Sequence, residues 1–313
     1  MPNVIEIIDV SKRYGAFAVL DHVSASVPRG EIVGLLGHNG AGKTTLIKLA
    51  LGLIRPSAGE ISVLGALPHS RDGRRLRARI GYLPENVAFY SNLTGREVIA
   101  YLARLRNVAE ADGVALLERV GLHDAVDKRV RTYSKGMRQR LGLAQALLGS
   151  PELFFLDEPT TGLDPIATQQ FFELVRGLRD QGKTVVISSH LLAELEPHLD
   201  RAVVLKQGRL LAQGTLAAMK KAAGMPVTIC ARLPGKLNGL LQEPWLAGLP
   251  AAPRLEEGGM LELAVPTTRK MDVLRHLMNL PTLADLTVKE PSLVRLYATI
   301  GSTGGTNGGT GDA

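Results

Sequence analysis

The chain has 313 residues, 45% of them hydrophobic and 21% charged, which excludes collagen-like, coiled-coil and wholly disordered architectures and exceeds the usual span of one hydrophobic core. Its one cysteine, Cys230, excludes an internal disulfide framework and a cysteine-rich metal centre. Thirty-seven Lys and Arg against 30 Asp and Glu leave a formal charge of +7, which favours a phosphate ligand, nucleic acid or an anionic membrane surface without choosing among them.

The opening MPNVIEIIDVSKRYG carries charge where a secretory signal needs an apolar centre, and no run of 18 apolar residues occurs, so the chain is expected to stay in the reducing cytoplasm. Short branched runs bounded by Gly, Pro or Asp predict strands at 4–10, 31–36, 60–64, 152–157, 184–188 and 202–206. Their alternation with helical stretches points to an α/β domain with a largely parallel sheet over residues 1–215. Between about 84 and 150, VIAYLARL and VALLERV space apolar residues three and four apart, the mark of a helical insert. From 216 to about 300 a smaller α+β unit is expected. Its strands are VTICARL, LELAV and DLTVKE. A helix over 268–278 turns Val273, Leu274, Leu277 and Met278 to the sheet, and a short helix follows Pro291. Residues 301–313, GSTGGTNGGTGDA, hold no large apolar side chain and read as a disordered tail.

Directly after the run EIVGLL come Gly37, His38, Asn39, Gly40, Ala41, Gly42, Lys43, Thr44 and Thr45, which satisfy G-x-x-x-x-G-K-[ST] in the strand–loop–helix setting that this pattern requires. The glycines let the backbone wrap a polyphosphate at a helix N-terminus, Lys43 adds a cation for the β- and γ-phosphates, and Thr44 offers a hydroxyl to Mg²⁺. Further on, the apolar run Leu153–Leu156 ends in Asp157 and Glu158. Beside such a phosphate loop Asp157 is placed to hold Mg²⁺, and Glu158 to activate the water that attacks the γ-phosphate.

One segment sets the chain apart among phosphate-loop proteins: Tyr133-Ser134-Lys135-Gly136-Met137-Arg138-Gln139-Arg140, followed by LGLAQALLG and the Asp157-Glu158 run. It resembles the signature segment of ATP-binding cassette (ABC) ATPases. It keeps Ser134 and Gly136 of the common LSGGQ form but carries Tyr133, Lys135 and Met137 at the other positions. The resemblance implies a P-loop ABC-type nucleotide-binding domain with a helical subdomain, ATP and Mg²⁺ as ligands, and a second copy whose Ser134 and Gly136 complete the γ-phosphate site. It further implies that Tyr14 stacks on adenine, that His190 contacts the γ-phosphate, and that Asp164 in TGLDP lies in the loop that crosses to the other subunit. Where many relatives carry a Mg²⁺-sensing glutamine, this chain has Glu85, an oxygen ligand that puts the neutral amide's role in question. The adjacent Val87–Tyr90 either lines a groove for a partner's helix or packs in the core.

A cassette with no span of its own implies an integral membrane permease as partner and a peripheral place on the cytoplasmic face of the inner membrane. GHNGAGKTT, GYLPENVAFY, TYSKGMRQRLGLAQALLG and DEPTTGLDPIATQ together resemble the ATPase subunit of the transporter for copper-site maturation of nitrous oxide reductase, and so imply a periplasmic accessory protein in the complex. Exporters of drugs, polysaccharides or sodium are the alternative, and soluble cassettes acting on ribosomes or DNA come after. Arg71, Arg74, Arg75, Arg77 and Arg79 lack interleaved aromatics and read as a solvated helix face, so no nucleic acid is expected.

Overall fold

Valine, isoleucine and leucine fill the runs between glycine and proline breaks, and in a computed structural model, which describes residues 2–234, 240–256 and 258–303, these runs are strands. The chain divides into two compact units between Thr215 and Leu216.

The first unit begins with β1 (Asn3–Tyr14), β2 (Phe17–Pro28) and β3 (Ile32–Leu36), then α1 (Lys43–Ala50), β4 (Ala58–Val63), α2 (Gly73–Ala78) and β5 (Ile80–Leu83). Three helices follow: α3 (Gly95–Leu105), α4 (Glu110–Arg119) and α5 (Lys135–Leu147). The unit closes with β6 (Leu153–Asp157), α6 (Pro165–Asp180), β7 (Thr184–Ser189), α7 (Leu192–Leu195), β8 (Arg201–Lys206) and β9 (Arg209–Thr215).

Six strands form a sheet in the order β5-β6-β7-β3-β8-β9, parallel except for the β8–β9 hairpin. Its central strands are buried along their whole length, as a parallel sheet covered on both faces requires. A three-stranded antiparallel sheet, β2-β1-β4, packs its Val10, Leu20 and Ile61 into a core shared with Leu35, Phe155 and Ile47 of α1. β2, β5 and β9 are strands that the composition runs do not announce. β1 and β2 each carry a bulge residue in left-handed backbone, Asp9 and His22 (φ 51° in both), joined side chain to side chain at 2.8 Å.

The helical insert starts on a capping box. Thr94 Oγ1 accepts from Glu97 N at 3.2 Å, while Thr94 N donates to Glu97 Oε2 at 2.7 Å. Ile99, Leu117 and Leu141, one from each helix, are fully buried. The arginine segment is exposed as expected at Arg71, Arg75, Arg77 and Arg79, and Arg79 makes ion pairs besides; Arg74's side chain lies outside the described set. Arg79 ends α2 and donates twice to Glu152, at 2.6 and 3.0 Å, with Arg29 adding a third bond at 3.2 Å. These contacts hold the Glu152 carboxyl down at about 2.

The second unit holds α8 (Leu216–Ala222), β10 (Val227–Arg232), β11 (Arg254–Glu256), β12 (Met260–Val265), α9 (Lys270–Met278), β13 (Asp285–Lys289) and α10 (Leu293–Thr303). Its antiparallel sheet runs β11-β12-β10-β13, and one face packs on Val273 and Leu277 of α9 and on Leu246. Met278 does not join that face: it is 68% exposed, because at about 100° per residue it stands roughly 140° round the helix from Val273 and about 100° from Leu277. α10 continues through Thr303 into the segment read as a tail, and residues 304–313 lie outside the described residues. Among the described residues no helix is long and apolar enough to cross a membrane.

Candidate nucleotide site

The C-terminal ends of neighbouring parallel strands are where open α/β sheets place ligands, and here β3, β6 and β7 deliver their residues to one spot. The loop after β3 turns sharply into α1. Gly42 at the helix N-cap has φ 103°, and a Cβ there would lie 2.6 Å from Leu20 Cδ2, so backbone and packing both demand glycine. α1 has no side-chain cap and no acid in its first turn, which leaves its leading amides and its positive dipole end directed at the loop.

Lys43 is a buried cation. Its ammonium donates to the Gly37 carbonyl at 2.7 Å and the His38 carbonyl at 3.4 Å, and stands 3.6 Å from Glu158 Oε1. Glu158 is itself 7% exposed and holds a left-handed backbone, φ 48°. Its Oε2 meets His190 Nδ1 at 2.8 Å, and its N–H donates to both the carbonyl and the hydroxyl of Ser188 at 3.1 Å. Ser188 in turn donates its hydroxyl to Asp157 Oδ1, and Thr44 Oγ1 donates to Asp157 Oδ2 at 3.0 Å. Two hydroxyls thus clamp one buried carboxylate and pass the order on to its neighbour. Tyr82 on β5 adds a phenol pushed up to about 12 by burial, and then by Asp157 and Glu85.

Asn39 to Thr45, Glu85, Glu158 and His190 line one cavity of about 280 Å³ together with Val19 and Thr161. Gly37 and His38 contribute through their carbonyls, with the His38 ring turned onto Asn39 O at 2.6 Å. Tyr14, Ser134, Gly136 and Asp164 are not among the residues that line this cavity. Tyr14 ends β1 half-exposed, with the Lys12 ammonium 5.0 Å from its ring centre. Ser134 caps α5, accepting from Met137 N at 3.1 Å, and Asp164 caps α6, accepting from Ala167 N at 2.8 Å. The unusual Tyr133 is accommodated by burial: its hydroxyl donates to Ala125 O at 2.6 Å, and a Cβ on Gly95 would come within 2.2 Å of it. Sequence reasoning missed Ser188, Thr161 and Val19. Ser188 sits within the predicted strand TVVIS, where nothing in the pattern marks its hydroxyl as facing another strand's acid.

The donor set fits a nucleotide with a hard cation. Glu158 Oε1 is buried with no hydrogen-bond partner, the loop cradles an anion at a helix start, and the Thr44–Asp157 oxygen pair suits Mg²⁺. Fold and site together define a P-loop nucleotide-binding cassette.

Residues 20–161 match the sequence profile of the family described as ABC transporter. The bacitracin transport ATP-binding protein BcrA of Bacillus licheniformis is 40% identical over 223 residues, 71% of this chain and 72% of that one. The daunorubicin resistance ATP-binding protein DrrA3 of Streptomyces coeruleorubidus is 38% identical over 279 residues, 87% of this chain and 86% of its own, so that match reaches into the second unit. An uncharacterized ABC transporter ATP-binding protein of Synechocystis is 43% identical over 69% of this chain, which spans 64% of that relative's length. A solved structure described as an ATP binding subunit of an ABC transporter has a TM-score of 0.65 at 35% identity, covering 71% of this chain and 93% of that one. The chain belongs to the ABC transporter family as an ATP-binding subunit, with ATP and Mg²⁺ as its ligands.

Proposed function

We propose that the chain hydrolyses ATP in a pair of copies and thereby drives a separate export permease. The observation that carries the reading is that Lys43, Thr44, Glu158 and His190 line one cavity, with Asp157 bonded to Thr44 behind it. Lys43 and the α1 amides bind the phosphates, Tyr14 stacks on the base, and Thr44 and Asp157, with Glu85 nearby, hold Mg²⁺, which when bound neutralises the phosphate oxygens. Glu158 takes a proton from water as that water's oxygen bonds to the γ-phosphorus and the bond to the β–γ bridging oxygen breaks. His190, fixed on Glu158, orients water and phosphate. The second copy supplies Ser134 and Gly136 at the start of α5 and Asp164 at the start of α6.

The relatives named for bacitracin transport and daunorubicin resistance support an export role. Tyr90, Tyr101 and Leu105 stand 67%, 48% and 64% exposed, apolar surface suited to a permease helix at the cytoplasmic face of the membrane. A narrower reading, the transporter for copper-site maturation of nitrous oxide reductase with its periplasmic accessory protein, rests on His38, ENVAFY and PIATQ alone. None of the relatives described above is named in those terms, so the broader export role is carried forward.

The test is purification of the tagged full chain from membranes. An integral permease is expected to co-purify, and Mg²⁺-ATP turnover of the pair to respond to the permease's cargo. Recovery with ribosomes or DNA, or cargo-independent turnover with no membrane protein bound, overturns the proposal.

A further inference from the structure

The sheet of the second unit ends on a strand whose charges read the same from either side of a twofold axis. β13 pairs with β10 along one side, and among the described residues no strand pairs with its other side. Its sequence, Asp285-Leu286-Thr287-Val288-Lys289, puts an acid at one end, a base at the other and a threonine at the centre. An antiparallel mate of the same sequence centred on Thr287 sets each Asp285 opposite the partner's Lys289 and each Leu286 opposite the partner's Val288. Opposite charges face each other across strands at both ends, and like charges at neither.

Burial points to the same edge. Leu286 and Val288 pack against the apolar core of the unit yet remain only half-buried, whereas Ile229 and Leu263 on the inner strands are fully covered. A mate on β13 extends the sheet over that half-open apolar row. The N–H of Leu286 is taken by the carboxylate of its own neighbour, Asp285, at 2.8 Å. That is how a strand edge satisfies a backbone donor that is not in a ladder. The opposite edge is built differently. β11 has three residues, and its central Leu255 is 48% exposed and outside the core, which is a blunted edge.

We propose that β13 is a homotypic pairing edge: the second units of two copies join through antiparallel β13 strands about a twofold axis at Thr287, making one continuous sheet. The contact is independent of nucleotide and does not rest on the proposed transport role. Through it, two cassettes remain at the high effective concentration of linked modules while their ATP sites turn over.

In this register the two central residues form a non-hydrogen-bonded pair, whose Cα atoms lie about 4.5 Å apart, within reach of a disulfide. The experiment uses the nucleotide-free full chain with Cys230→Ala, so that no native thiol competes. Thr287→Cys is expected to give a disulfide-linked dimer on mild oxidation, and Leu255→Cys to stay monomeric on non-reducing gels. In sedimentation without oxidant, Asp285→Lys is expected to weaken self-association on the order of tenfold by setting like charges opposite each other. Asp285→Lys with Lys289→Asp restores it, a rescue that a merely misfolded variant does not give. A Thr287→Cys chain that stays monomeric, a cross-link at Leu255→Cys instead, or a double swap that fails to restore association each overturns the pairing.

Discussion

The groups around α1 and those that open α5 and α6 are built in opposite ways. Lys43, Asp157 and Glu158 are at most 7% exposed and hold one another through Thr44, Ser188 and His190. Ser134 and Asp164 lie on the surface, where each caps its own helix. A buried polar set is rigid because every member depends on the others, and removing one strands a charge. An exposed cap leaves its helix start open to something from outside. The contrast teaches that the two groups of residues differ in what a substitution disturbs: a packed set of charges in one, a single helix start in the other.

Four changes break or sharpen that contrast. The largest effect is expected at the buried end, where Glu158→Gln lowers steady-state hydrolysis about 10²–10⁴-fold while ATP binding persists, read by phosphate release alongside equilibrium nucleotide titration. Near-normal turnover removes Glu158 from the role of base. Next comes Lys43→Ala, which strips the cradle of its cation and takes away the ammonium 3.6 Å from the buried Glu158 carboxylate. Nucleotide affinity is expected to fall at least tenfold, with a stability loss of about 3 kcal/mol in denaturant unfolding.

At the exposed end, Ser134→Ala is expected to cost about 1 kcal/mol through the lost cap. Hydrolysis by paired copies falls more than that, while ATP affinity of the isolated chain stays unchanged; a fall in that affinity erases the contrast. The smallest effect concerns Glu152, outside the site. Its folded carboxyl sits at about 2, below the ordinary 4.5, so its contribution is full above pH 4.5 and is lost as pH falls toward 2. The side chain is 35% exposed, and screening reduces that contribution to about 1 kcal/mol. Glu152→Gln should therefore lower the melting temperature at pH 7 and narrow the gap to wild type by pH 3.

How much of this the sequence reveals depends on regularity. The cradle from Gly37 to Thr45 and the acid pair after Leu156 are contiguous, so their chemistry is legible residue by residue. The strands β1 and β2 are not equally so. In β1 the buried residues run Ile7 then Val10, and in β2 Leu20 then Val23, because left-handed Asp9 and His22 insert an extra residue and break the alternation of two. β1 survives as a prediction over residues 4–10, short of its end at Tyr14, and β2 disappears. β5 escapes because it is four residues long with a glycine inside, where Ala146 O and the Phe154 ring leave no space for a side chain. Ser188 escapes because a hydroxyl's partner across strands is a tertiary fact. Met278 lies off the buried stripe because the same 3.6-residue period that stacks Leu277 over Val273 carries the next residue about 100° further round.

One backbone angle carries a last consequence. Glu158 holds a φ of 48°, a region that glycine enters freely and other residues enter at a cost of about 1 kcal/mol. Replacing it with glycine relieves that strain but leaves the buried Lys43 ammonium, 3.6 Å away, without its carboxylate, a cost of about 3 kcal/mol. The unfavourable angle is thus held in place by a charge partner on another element, and heat resistance alone would not reward glycine at this position.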